Sequence, residues 1–305
     1  MIHRFRFWLG AIVTMSSLLP MISPGTAQAA SQGIGISPTS QEVKLNPGGT
    51  TSGTLVVIND GDSDITYKVY ATDYQVHDEN YHGDFTNEGK SPVLSAVSWF
   101  KLPSGALVVK SRQEQNLSYT ITVPPGAAVG GHYAAVFIET IPPPPTPGSA
   151  RINRIDRVGS LFYLAVGGGL HSGGMVLPLT VPLLQSQSPV IGSLSVKNTG
   201  NVHFQADVQA QLSDPFGKVG KPMAERGEVL PSTTRRFDIS LPSSSPIGLY
   251  NVSVTVRYLD KSVTQSHWML LMPRLTFIIV STTLLAALIM GFWQVMRRTR
   301  RRHWA

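Results

Sequence analysis

Apolar and polar residues alternate along most of this chain with a period of two, the spacing of a strand that buries one of its faces. Leu117, Tyr119, Ile121 and Val123 alternate with Asn116, Ser118, Thr120 and Thr122. Phe204, Ala206, Val208, Ala210 and Leu212 alternate with polar neighbours in the same way, and so do Tyr250, Val252, Val254, Val256 and Tyr258. Pro, Gly, Asn and Asp separate these runs, and no amphipathic helix interrupts them before residue 275. The pattern predicts an all-β region of antiparallel strands stacked as β-sandwiches.

At both ends the alternation gives way to longer apolar runs. Residues 275–295 carry no charge and are followed at once by Arg297, Arg298, Arg300, Arg301 and Arg302. A helix of about 20 residues crosses the ~30 Å hydrocarbon core, and clustered arginines resist translocation. This predicts one transmembrane helix at 275–296, a basic cytoplasmic tail at 297–305, and everything upstream outside the plasma membrane. Near the N-terminus, Arg4 and Arg6 precede an apolar stretch that ends at Leu19, and Ala27-Gln28-Ala29 supplies small residues for cleavage. That is the pattern of a signal peptide over 1–29, and the topology is type I, single-pass.

An internal repeat divides the exterior. Gly53-Thr54-Leu55-Val56-Val57-Ile58-Asn59-Asp60-Gly61-Asp62 realigns on Gly192-Ser193-Leu194-Ser195-Val196-Lys197-Asn198-Thr199-Gly200-Asn201. Downstream, Ile121-Thr122-Val123-Pro124 leads to Gly131-His132-Tyr133, and Ile239-Ser240-Leu241-Pro242 leads to Gly248-Leu249-Tyr250. Two matches in the same order predict one sandwich design used twice, as tandem Ig-like domains over 30–169 and 170–273. Asn-x-Gly is expected to close a hairpin through a left-handed or turn conformation, and each tyrosine to open the next strand as a buried aromatic. The second copy ends in a hairpin of 249–259 with 263–271, so 134–139 needs an equivalent partner, and 158–166 fits. The proline run at 142–147 then lies inside the first domain, and the glycines at 167–169 and 173–174 form the joint. The alternative makes the proline run the linker.

The net charge of +7 suggests an acidic partner until the charges are located. With the signal, the tail and Arg274 set aside, 17 Lys and Arg face 18 Asp and Glu, so the exterior is near neutral at −1. No basic patch points to nucleic acid. Cysteine is absent, which excludes disulfides, thiolate chemistry and Cys-based zinc sites. Asp60, Asp62 and Asp64 have the spacing that begins a calcium loop, but Ile65 stands where Gly is needed and Ala71 where a bidentate Glu is needed. A polar turn is expected there. The histidines do not cluster at ligand spacing, so no metal and no cofactor is expected.

The longest polar stretch of the first domain, 74–90, interleaves aromatics with carboxylates and amides. Tyr74, Tyr81 and Phe85 offer ring faces for stacking on a sugar, while Asp78, His82 and Asp84 offer hydrogen-bonding partners. These six are the candidate ligand-binding residues, on a loop of the kind where binding groups gather. Asp78, Glu79 and Asp84 contain the carboxylates a glycosidase needs, but no cleft-forming insertion surrounds them, and no nucleophile motif occurs elsewhere. The expectation is a binding protein rather than an enzyme.

In layout the chain resembles the WxL-interacting surface proteins of Gram-positive-type bacteria. The residues that carry the resemblance are Ile36-Ser37-Pro38-Thr39, the turns at Asn59 and Asn198, and the corners ending at Tyr133 and Tyr250. The resemblance implies a first Ig-like domain that binds peptidoglycan, a second that binds a partner surface protein, a membrane helix and a short basic tail. The competing expectation is a structural stalk within an exported membrane complex.

Overall fold

The computed structural model describes residues 33–86, 94–144 and 154–302. The signal peptide expected at 1–29 and the end of the tail, 303–305, lie outside them. The chain is mostly β, and one apolar helix follows the strands.

The N-terminal part supplies β1 (Ile34–Ser37), β2 (Ser40–Leu45), β3 (Thr50–Asn59) and β4 (Ile65–Thr72). A small hairpin follows, β5 (Gln75–Val76) with β6 (Gly83–Asp84), and then β7 (Phe100–Lys101), β8 (Leu107–Val109) and β9 (Glu114–Thr122). The long strands β10 (Gly130–Thr140) and β11 (Arg157–Val166) complete it. One sheet runs β1-β3-β9-β7 and the other β2-β11-β10-β4-β8. Leu55, Val57, Leu117 and Ile121 from the first meet Tyr67, Val136, Phe162 and Leu164 from the second in one buried core. β10 and β11 pair as a hairpin, with Glu139 opposite Arg157; of the proline run expected at 142–147, residues 145–147 lie outside the described residues.

The C-terminal part repeats the plan with β12 (Gly174–Val176), β13 (Leu184–Gln185), β14 (Val190–Asn198) and β15 (Phe204–Ser213). β16 (Met223–Val229), β17 (Thr234–Leu241), β18 (Gly248–Tyr258) and β19 (Lys261–Leu271) follow. Its sheets run β12-β14-β17 and β13-β19-β18-β15-β16, around a second core that includes Leu194, Val208, Phe237 and Val254. The wiring is the same in both parts. β1 lies antiparallel on β3, the chain crosses at Pro38 and Thr39, and β2 lies parallel on β11. β12 likewise lies antiparallel on β14 before β13 lies parallel on β19. The Ile36-Ser37-Pro38-Thr39 segment is therefore the crossing between two sheets.

The repeated asparagine has a structural cause that its glycine does not share. Asn59 Nδ2 donates to Ser63 O (2.8 Å), Lys110 O (3.0 Å) and Val109 O (3.2 Å), and its Oδ1 accepts the Gly61 amide at 2.9 Å. Asn198 does the same work: its Nδ2 donates to Val229 O (2.8 Å) and Val202 O (2.9 Å), and its Oδ1 accepts the Gly200 amide at 2.8 Å. Neither Gly61 nor Gly200 carries a positive φ. The turn is made by the buried amide side chain, which satisfies carbonyls of a neighbouring strand, rather than by a left-handed glycine.

The two tyrosine corners differ more. Tyr250 sits in the C-terminal core and its hydroxyl donates to Ser245 O at 3.1 Å. Tyr133 is equally buried but points away from its own core. The helix α1 (Arg274–Arg302) ends the described chain, and its Arg274–Gln294 portion, with mean hydropathy 2.3, is long and apolar enough to cross a membrane. Helical backbone continues beyond this apolar portion through the arginines to Arg302.

Asn59→Ala and Asn198→Ala should each lower folding stability by about 2–3 kcal/mol, because buried carbonyls lose their donor. Denaturant unfolding of the full chain checks this, and Asn→Asp should recover none of the loss, since a carboxylate cannot donate.

Candidate functional site

The alternation that builds the other strands fails in β10 and β11. Every residue from Gly130 through Ile138 is buried, as are Phe162 through Val166. One face of this hairpin lies on the N-terminal core. The other carries Tyr133, Phe137, Leu161 and Tyr163, and apolar rings cannot be left there in water without cost. Phe137 can lie flat on this face because Gly159 stands opposite; a Cβ there would meet the ring at 2.6 Å.

The loop over 73–86 covers part of that face. Phe85 stacks on Tyr74 with centroids 5.6 Å apart and meets the Phe137 ring edge-on at 5.0 Å. Tyr74 in turn meets Tyr163 edge-on at 6.0 Å. The C-terminal sheet pair covers the rest, through Leu230 and the His203 ring, which lies 5.6 Å from Tyr133 and 5.2 Å from Tyr163. The rings at 74, 81 and 85 are thus partners of one another and of the joint between the two sheet pairs.

Tyr81 is the side chain that reaches across. Its hydroxyl accepts the Leu230 amide at 2.7 Å and pairs with the Thr233 hydroxyl, whose own proton goes to Leu230 O at 2.8 Å. Arg235 lies over the ring, 4.7 Å from its centroid. Tyr81 holds φ at +61°, a conformation that costs a residue with a Cβ about 1–3 kcal/mol unless its surroundings fix it. Next to it, Glu79 O accepts the Arg236 amide at 2.7 Å, and Glu79 Oε2 accepts the Ser195 hydroxyl at 3.2 Å. On the far side of the joint, Asn201 O accepts the Gly131 amide at 2.7 Å, and the Asn201 side chain bonds His171 N and Gly169 O. The glycine-rich connection between β11 and β12 is therefore laced to both sheet pairs.

Between the two pairs lies a cleft of about 680 Å³. Tyr74, Tyr81 and Phe85 line it together with Phe137, Leu161 and Tyr163. Gln205, Arg226, Glu228 and Arg235 supply polar groups from the C-terminal pair, and Thr39 and Ser40 supply hydroxyls from the crossing. Three of the six candidate residues thus belong to the cleft. Asp78, His82 and Asp84 do not line it. Asp78 bonds His82 at 2.7 Å, and Asp84 bonds His77 at 2.9 Å and the Thr86 amide at 2.8 Å, so these groups shape the loop. Asp62 and Asp64, of the calcium-like spacing, pair with Arg112 and Lys110.

Sequence reasoning missed the opposite wall. Glu228 Oε1 accepts from Gln205 at 2.9 Å, while its Oε2 is buried without a partner. Burial raises its pKa, an effect that Gln205 opposes. Burial also pushes the His203 imidazole from 6.5 down to about 4, with Lys44 acting in the same direction. Glu42, His203 and Glu228 bring one donor atom each within 4.8 Å of one another, a spacing that could hold a cation. The Lys44 ammonium beside His203 works against one.

No protein-family model and no curated protein matches this chain. Its fold resembles PapD-like, immunoglobulin-type sandwiches among solved structures. A chain of the CsuC-CsuE chaperone-tip adhesion subunit pre-assembly complex of Acinetobacter baumannii is 14% identical, covering 77% of this chain and 97% of that one at a TM-score of 0.39. The Escherichia coli chaperone DraB is 15% identical, covering 78% and 97% at 0.38. The PapD-like domain 7 of human CEP192 is 16% identical, covering 52% and 99% at 0.31. These are likenesses of fold alone.

His203 gives the joint a pH dependence of definite sign. Its folded pKa is depressed, so the unfolded chain binds the extra proton between pH 6.5 and about 4, and the stability it contributes is lost as pH falls through that window. Glu228, with a raised pKa, acts in the opposite sense. Melting temperatures of the full chain should therefore fall less steeply from pH 6.5 to pH 4.5 in His203→Gln than in the natural protein; parallel profiles would remove His203 from the account.

Proposed function

We propose that the chain is a membrane-anchored bacterial surface protein, with its β region outside the cell, and that the cleft between its two sheet pairs binds a cell-wall glycan. On this reading the sheet pairs are tandem Ig-like domains, 30–169 and 170–273, exported by the signal peptide and held by α1. The observation that carries the reading is the composition of the cleft. Sugar rings present C–H faces that pack on aromatic rings, and their hydroxyls take bonds from guanidinium, amide and carboxylate groups. Tyr74, Tyr81 and Phe85 stand opposite Gln205, Arg226 and Arg235 in one space large enough for such a unit. Peptidoglycan also carries carboxylates, for which the two arginines are suited.

A second reading, a stalk or partner-docking element of an exported assembly, is favoured by the lacing at Tyr81 and Asn201. A joint fixed in this way transmits position as well as forming a pocket.

Gln205→Ala and Arg226→Ala remove cleft groups without touching the Tyr81 contacts. Each should weaken binding of soluble peptidoglycan fragments to the full chain about tenfold, equal to ~1.4 kcal/mol; the melting temperature should hold in Arg226→Ala, whose exposed guanidinium pairs with Asp207, while Gln205→Ala also takes a donor from Glu228 and should lower it. Binding unchanged by both variants, or no retention on wall polymer, would overturn the glycan reading, and crosslinks to one protein in cells would then favour the second. The orientation has its own check: protease added to intact cells should remove the β region and spare a tag placed after Ala305.

A further inference from the structure

The joint occupies one end of the C-terminal sheet pair, and α1 leaves from the other. Register fixes which loops share that second end. Gly248 pairs with Leu271, Gln185 pairs with Leu271, and Ser213 pairs with Asn251, three positions along β18 from Gly248. The chain passes from Leu271 through only two residues before α1 begins at Arg274. The β15–β16 turn, the β17–β18 connection and the approach to β13 are therefore brought to the side from which the apolar helix departs.

These connections expose large apolar side chains that soluble loops usually lack. Phe216 is 95% exposed and Leu183 is 73% exposed, while Ile247, Val219 and, at the start of β18, Leu249 are also exposed. Phe216 is presented by a built turn. Asp214 Oδ1 accepts the Phe216 amide at 3.0 Å and the Lys218 amide at 2.9 Å, and Gly217, at φ +80°, closes the turn by donating to Asp214 O at 3.1 Å. The carboxylate is thus tied to backbone while the ring points into solvent. The charges at this end are one-sided. Lys218, Lys221 and Arg274 stand in the stretches 182–191, 213–221, 241–250 and 269–274, where Asp214 is the one acid.

We propose that this end of the C-terminal sheet pair rests in the headgroup layer of the bilayer that α1 crosses, with Phe216 inserted and Lys218 and Lys221 on anionic lipid phosphates. The inference rests on α1 being a membrane anchor. Continuity with the helix selects the occupant: the strand end at Leu271 is two residues from α1, and the loops that register brings to the same end face the bilayer that an embedded α1 enters. Amphipathic contact of this kind combines buried apolar area with attraction between basic residues and anionic headgroups. A sheet pair seated on the membrane at several points cannot swing freely about the short link to α1, which would hold the distal cleft at a set height.

The absence of cysteine makes the test direct. The full chain carrying Phe216→Cys, labelled with an environment-sensitive fluorophore, is reconstituted in vesicles of phosphatidylcholine with phosphatidylglycerol, some of the lipid bearing nitroxide at the headgroup or upper acyl chain. Lys261→Cys, at the start of β19 beside the turn at the opposite end of β18 and β19, serves as the distant control, and Trp293→Cys reports the helix. The probe at 216 should be quenched by shallow nitroxide at least about threefold more than the probe at 261, less so without phosphatidylglycerol. Quenching at 293 but not at 216 would overturn the proposal and leave the anchor standing. Quenching at neither would overturn both, and a blue-shifted probe at 216 without lipid quenching would assign the surface to protein instead.

Discussion

The burial of both faces of the β10–β11 hairpin is the constraint on which the rest of the molecule depends. A sandwich sheet ordinarily has one face in its core and one in water. Here Tyr133, Phe137, Leu161 and Tyr163 stand on the second face, and an uncovered patch of that kind would be a liability. Two separate coverings meet on it, the loop over 73–86 from the same sheet pair and the Leu230 and His203 edge of the other. The joint, its lacing and the cleft are consequences of that meeting.

The strained backbone of Tyr81 belongs to the same account. A left-handed aromatic is held only where its side chain is fixed from several directions, and here Leu230, Thr233 and Arg235 fix it. Sites with this kind of stored strain tend to carry function. The ring is a wall of the cleft and also the clasp that keeps the cleft's two sides together, so on the proposed reading ligand binding and the placement of the two sheet pairs would draw on the same residue. A ligand in the cleft would contact both sheet pairs at once and would be favoured by a joint already set.

What was legible in the sequence was whatever repeats at short range. The strands around Tyr119, Val208 and Val254 read correctly because burial of one face imposes period two on neighbouring residues. The repeat at Gly53 and Gly192 pointed to one design used twice, but the crossing of β1 to β2 and of β12 to β13 between sheets, and the part played by Asn59 and Asn198 in bracing carbonyls of distant strands, are invisible without the fold. The corners at Tyr133 and Tyr250 look alike in sequence and differ in structure, because the difference depends on what lies outside the sheet. The density of rings at 74, 81 and 85 was legible as an excess that solvation does not require. Its destination was not, since Leu230 and Tyr163 are remote in the chain. Arg226, Glu228 and Arg235 occupied the polar positions of alternating strands and so resembled an ordinary solvated face, and His203 gave no spacing signal.

The central claim, that the two sheet pairs are held against each other through Tyr81 and the outer face of β10 and β11, is tested most directly by amide hydrogen exchange. The Leu230, Arg236 and Gly131 amides donate to Tyr81, Glu79 and Asn201 across the joint. They should exchange as slowly as the central strands β15 and β18, and Tyr81→Phe should release Leu230 selectively while those strands stay protected. Exchange of all three amides at the rate of open loops in the natural protein would contradict the account.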